Sequence, residues 1–121
     1  MTPSPRLSPA EREARNILVS EGFRVLPMRS CFVSRHKPVN LIGMRGQYEM
    51  IYLRLKYLAR IPDDPATLAD CCREEGEILR YLFPLGTGFI RLHREIWIRP
   101  RSGGFCCFEV LPDRLIAVTH G

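Results

Sequence analysis

The chain has 121 residues, 45% of them apolar and 26% charged, so it is long enough for one core and too apolar for wholesale disorder. No run reaches the roughly 20 apolar residues of a membrane span, and Met1-Thr2-Pro3-Ser4-Pro5-Arg6 lacks the apolar centre of a secretory leader; a soluble cytoplasmic protein with no membrane role is expected. The net charge of +5 is uneven: residues 1–60 carry 11 Lys/Arg against 4 Asp/Glu, net +7, and residues 61–121 carry 7 against 9, net −2.

The first helix is well marked. Ser8 suits the N-cap and Pro9 the first helical position. Ala10, Ala14, Ile17, Leu18 and Glu21 follow helical spacing, and Gly22 suits the residue past the end. Phe23–Met28 reads as a strand, with Pro27 pointing to an edge or a bulge. Arg29–Pro38 is a basic loop. Val39–Met44 is a short apolar strand interrupted by Asn40, and Arg45-Gly46-Gln47 is a turn. Glu49–Leu58 is the strongest strand. Its side chains alternate, so Ile51, Leu53 and Leu55 form a core row while Met50, Tyr52, Arg54 and Lys56 share the other face.

Pro62-Asp63-Asp64-Pro65 links to a second helix, whose apolar stripe is Leu68, Cys71, Cys72, Ile78, Leu79, Leu82 and Phe83. Pro84–Gly88 closes it. Phe89–Arg99 and Phe105–Leu111 read as strands joined by a hairpin turn at Arg101-Ser102-Gly103-Gly104, and Asp113–Val118 is a candidate for a short last strand. This order predicts an α/β fold: a central mixed sheet of about four or five strands flanked by two helices. The expected division is a flexible segment at residues 1–8 and one domain at 9–121.

The five cysteines, Cys31, Cys71, Cys72, Cys106 and Cys107, contain no Cys-x-x-Cys spacing, and their odd number argues against a disulfide framework. Reduced thiols serving as small apolar residues are expected, with no zinc site. His36, His93 and His120 show no recognisable catalytic spacing. A basic N-terminal half suits a polyanion, nucleic acid first, although a solvated basic surface has the same composition.

Several segments together resemble a known family. Ala10-Glu11-Arg12-Glu13 with Ile17-Leu18 and Gly22-Phe23-Arg24-Val25 looks like the opening of archaeal Holliday junction resolvases. Val39-Asn40-Leu41-Ile42-Gly43 resembles their second-strand motif, Ile51-Tyr52-Leu53-Arg54-Leu55-Lys56 their acid-x-Lys strand, and Phe108-Glu109-Val110 the end of their last strand. The wider group is the restriction-endonuclease-like PD-(D/E)XK nucleases. The resemblance implies that fold, and a site in which carboxylates hold Mg²⁺ beside a lysine.

Position by position, Glu11 matches the helix glutamate and Lys56 the lysine. Asn40 stands where the resemblance puts an aspartate, and Arg54 where it puts the second acid. A guanidinium stays charged and repels a divalent cation by several kcal/mol at about 4 Å in an effective dielectric of about 20. The resemblance therefore implies a degenerate site, with no metal, no cofactor and no catalytic residue assigned. Each position also has a plain structural reading. Glu11 completes a Ser-x-x-Glu capping box with Ser8. Asn40 can bond strand-end backbone, Arg54 can pair with Glu11 or a helix carboxylate, and Lys56 can be a solvated strand lysine.

Three functions follow. The leading one is a degenerate, metal-independent nucleic-acid-binding protein for duplex or branched DNA, with Arg29, Arg35, Lys37, Arg54 and Lys56 as phosphate contacts and His36 beside them. The second is an interaction module or homodimer without a nucleic-acid role. The third is an active Mg²⁺ nuclease with a migrated acid, Asp70, Glu74, Glu75 or Glu77 reaching back from the second helix. Glu49 is a poor substitute for that part, because its parity puts it on the opposite face from Arg54.

Overall fold

A computed structural model describes residues 7–27, 39–82 and 91–120. The loop carrying Arg29, Arg35, His36 and Lys37, and the segment Pro84–Gly88, lie outside the described residues. Helix α1 spans Pro9–Ser20, β1 Arg24–Pro27, β2 Leu41–Arg45 and β3 Glu49–Tyr57. Helices α2 (Pro65–Cys71) and α3 (Arg73–Leu82) follow, then β4 Arg91–Arg99, β5 Cys106–Val110 and β6 Leu115–Val118.

The six strands form one sheet in the order β1-β2-β3-β4-β5-β6. Neighbours are antiparallel except β3 and β4, which run parallel from Glu49↔Arg91 to Tyr57↔Arg99. A parallel pair needs a crossover, and α2–α3 lies within it. The sheet has more strands than the four or five expected from the sequence. The extra member is β6, which turns back at Leu111, where the backbone N–H bonds the Arg114 carbonyl at 2.8 Å. β1 is an edge strand, as Pro27 requires.

The start of α1 follows its sequence signals. The Ser8 hydroxyl accepts from the Glu11 N–H at 3.1 Å, and Glu11 Oε1 accepts from the Ser8 N–H at 2.9 Å. Gly22, at φ 94, takes the left-handed conformation that ends the helix. The second expected helix is two. Asp64 caps α2 through the Thr67 N–H at 3.0 Å, α2 stops at Cys72, and α3 restarts with Glu74 and Glu75 in its first turn.

Both faces of the sheet are covered. Under α1 lie Ala14, Leu18, Phe23, Leu41, Ile51, Leu53, Trp97 and Cys107. On the α2–α3 side lie Val39, Leu68, Cys72, Leu79, Ile96, Ile98 and Val110, with Tyr52 packed against them. The alternation predicted for β3 holds, but its second row is not an open face: its residues are half-buried, with Tyr52 packed on the α2–α3 side and Lys56 paired with Glu75 of α3. No described helix is long and apolar enough to cross a membrane.

Candidate functional site

Asn40 precedes β2 and extends the β2–β3 ladder past its last register pair. Its N–H donates to the Leu53 carbonyl at 2.8 Å, and its side-chain Oδ1 accepts from the Leu55 N–H at 2.8 Å. The remaining amide group, Nδ2, donates to Glu11 Oε2 at 3.3 Å. Glu11 is only 7% exposed, and both of its carboxylate oxygens are engaged. One closes the capping box and the other receives Asn40. Two of the four motif positions therefore meet, and both structural readings hold alongside the resemblance.

The other two belong to the opposite face. Arg54 is half-buried on β3 and pairs in register with Ile96 of β4. Lys56 is not a solvated lysine. Its Nζ lies 3.0 Å from Glu75 Oε2, with side chains 21% and 12% exposed. Glu75 extends from the first turn of α3, where a carboxylate also favours the positive end of the helix. Of the helix acids considered from the sequence, Glu75 is the one brought to the motif lysine; Asp70 instead bonds Arg73 on the surface. Beside this pair, burial pushes the Cys72 thiol up to about 11 despite the nearby Lys56 charge. Cys72 and Cys107 are buried free thiols, as their apolar reading requires, whereas Cys71 and Cys106 are exposed.

A cleft of about 710 Å³ lies between α2–α3 and the β5–β6 turn, lined by residues including Asp70, Arg73, Glu77, Arg80 and Arg114. None of the four motif positions lines it. Nearby, Arg94 is buried on β4, its Nη2 donating to the Val110 carbonyl at 3.2 Å. Burial lowers its pKa, as does the neighbouring Arg80 charge, with Glu109 opposing.

The sequence reading passed over a second group of polar residues on the α1 face. His93 Nδ1 lies 3.1 Å from Glu109 Oε1, and its Nε2 lies 2.9 Å from Glu49 Oε2. His120 Nδ1 lies 2.7 Å from Glu21 Oε1, and its Nε2 lies 2.6 Å from Glu95 Oε1. The Trp97 indole N–H also donates to Glu95 Oε1, at 2.9 Å. Burial alone would lower the His120 pKa, but hydrogen bonds to Glu95 and Glu21 and their charges outweigh it and raise the value to about 9. The Glu49 carboxyl falls to about 2, chiefly through its bond to Arg45 and with help from His93 against the cost of burial. The available signal was alternation. His93, Glu95 and Trp97 occupy every second position of β4 and so share one face.

The helix–sheet order, with α1 on one face and the α2–α3 crossover on the other, is consistent with the restriction-endonuclease-like fold. Among solved structures the chain is similar to Hjc, a Holliday junction resolvase from the archaeal hyperthermophile Archaeoglobus fulgidus. The TM-score is 0.55 at 17% identity, over 89% of this chain and 84% of that one. At that identity the likeness establishes the fold. No family model and no curated protein matches the chain.

Proposed function

We propose that this protein is a catalytically silent, resolvase-like domain that binds nucleic acid without a metal ion. The observation that carries the reading is Asn40. Its amide is spent on the Leu55 N–H and on Glu11, so the carboxylate the motif would offer a cation is replaced by two hydrogen bonds. Arg54 on the neighbouring strand puts a permanent positive charge at the second acid position. A guanidinium suits phosphate oxygens in a bidentate geometry, and the net charge of +7 in residues 1–60 supports attraction to a polyanion. Duplex or branched DNA is the expected ligand, with Arg29, Arg35 and Lys37 as further contacts. Lys56 reaches phosphate only by exchanging its bond to Glu75.

The test is a titration with duplex, single-stranded and branched DNA over a range of salt. Log K should fall linearly with log salt, by about 0.9 per phosphate contact on duplex. Arg54→Gln should flatten that slope by about one unit. Glu75→Gln frees Lys56 and should steepen it by a similar amount. Absence of binding at about 50 mM salt would overturn the proposal.

A second reading rests on Glu75. A carboxylate from α3 beside the motif lysine is the geometry a migrated acid would take, and Glu75 Oε1 is buried with no hydrogen-bond partner among the described residues. Cleavage of branched DNA in Mn²⁺ or Mg²⁺, abolished by Glu75→Gln, would establish that reading in place of the first.

A further inference from the structure

We propose that His93, Glu95 and Glu109 form a binding site for a divalent transition-metal ion such as Zn²⁺, with Glu49 orienting the histidine. The site is separate from the motif positions and independent of the nucleic-acid reading. Two strands build it. His93 and Glu95 are two apart on β4 and therefore share a face, and Glu95 stands opposite Glu109 across the antiparallel β4–β5 pair. One ligand atom from each of the three residues lies within 4.8 Å of the others. Metal–ligand bonds of about 2.0–2.1 Å place adjacent donors about 3.4 Å apart in a tetrahedron. The His93 Nδ1 to Glu109 Oε1 separation of 3.1 Å already fits such an edge.

The histidine is oriented as a metal-bound imidazole requires. Nδ1 faces Glu109 while Nε2 faces Glu49 at 2.9 Å, so the ring can ligate through Nδ1 and donate its other N–H to a carboxylate. Glu49 is in turn held by Arg45 at 2.7 Å. Glu95 receives both His120 and Trp97 on Oε1, which leaves its second oxygen to a ligand.

Charge and access point the same way. Four carboxylates, Glu21, Glu49, Glu95 and Glu109, meet beside the C-terminal end of α1, whose dipole adds a partial negative charge. The opposing cations are Arg45 and His120, with Arg91 at the rim and Arg94, one residue along β4, also acting on Glu109. Glu95 is deeply buried, at 4% exposure, while His93 and Glu109 retain more than a quarter of their side-chain surface. That leaves room for a water ligand on a three-residue site, as in catalytic zinc centres. Beside Glu49 and Arg91, a cleft of about 310 Å³ opens to solvent. One nitrogen and two carboxylate oxygens favour Zn²⁺, Co²⁺ or Mn²⁺ over Mg²⁺ and Ca²⁺, which prefer an all-oxygen shell.

The experiment uses the full chain, stripped with chelator and with reduced cysteines, titrated with Zn²⁺ against a chromophoric competitor and with Co²⁺ by visible absorption. The expected result is one equivalent bound, with a weak d–d spectrum typical of nitrogen and oxygen ligands and a higher melting temperature. Glu109→Gln keeps the side-chain shape and should weaken Zn²⁺ at least tenfold. His93→Gln should abolish the Co²⁺ spectrum, and Glu49→Gln should weaken binding by roughly 10- to 100-fold through the ring it orients. Near-UV circular dichroism of each metal-free variant confirms folding. No stoichiometric binding would overturn the site, as would binding unchanged by Glu109→Gln, or an intense thiolate-to-cobalt band placing the ion on cysteine.

Discussion

Replacing Asn40 with aspartate tests whether a hydrogen bond has taken the place of a metal bridge. In the native chain Nδ2 donates to Glu11 Oε2 across 3.3 Å. In Asn40→Asp two carboxylate oxygens face each other across that gap, while the other oxygen still accepts from the Leu55 N–H. Two unit charges at that distance repel by about 5 kcal/mol at an effective dielectric of about 20. Side-chain relaxation and the partial exposure of Asn40 reduce this, and about 2–4 kcal/mol of lost stability is expected at pH 7. The repulsion raises the folded-state pKa of the carboxylate pair above its unfolded values. The penalty is therefore full above the raised folded-state pKa, shrinks as pH falls through that value and one carboxyl takes a proton, and is gone below the unfolded range at about pH 4. Asn40→Ala provides the control. It leaves the Leu55 N–H without its acceptor, a loss of about 1–3 kcal/mol, and places no second charge beside Glu11, so it lacks the large gain in stability on acidification. Urea denaturation from pH 4 to 8 in chelator separates the two. An aspartate variant as stable as wild type at pH 7, or one whose loss does not change with pH, would refute the account of Asn40.

Two further outcomes follow from the packing and from His120. A Cβ on Gly43 would sit 2.8 Å from Ile51 Cγ2 and 3.2 Å from Phe23 Cδ1; Gly43→Ala should therefore cost about 1–3 kcal/mol in urea denaturation, and an unchanged midpoint would show that the α1 face has slack. The folded His120 pKa of about 9 lies above its ordinary value of 6.5, so its contribution, on the order of 3 kcal/mol, is fully present below about pH 6.5 and is lost as pH rises through about 9. In chelator, His120→Gln should remove the fall in stability between pH 7 and 9, and a variant that keeps that fall would assign it to another group.

The backbone plan was legible because each element carries its own local signal. Ser8, Pro9 and Glu11 mark the start of α1, and Gly22 marks its end. Period-two alternation gave the two faces of β3, and Pro27 narrowed β1 to an edge or a bulge, of which the sheet order shows the edge. What stayed hidden depended on pairing between distant segments. The β3 alternation shows which side chains share a face, but not that α2–α3 would cover that face and bring Glu75 to Lys56. The break at Cys72 was hidden for a related reason: one amphipathic stripe runs through both helices, and periodicity alone does not reveal a change of axis.

The site was legible in part for a chemical reason. Asn40 and Arg54 are visible as departures from a motif because their side chains differ in charge from the acids the motif needs. The roles that replaced those acids depend on geometry: Asn40 fastens the β2–β3 ladder to α1 through hydrogen bonds of 2.8 and 3.3 Å. The His93 group was harder still to see, because its residues are spread from Glu21 to His120 and linear spacing joins only His93, Glu95 and Trp97. The resemblance places Glu109 on a last strand without giving it a role. Only the cross-strand register sets Glu109 opposite Glu95, and only the parallel β3–β4 pair sets Glu49 near His93. Asn40 and Arg54 stand out only against the resemblance, whereas strand pairing alone brings the carboxylates Glu49, Glu95 and Glu109 together around His93.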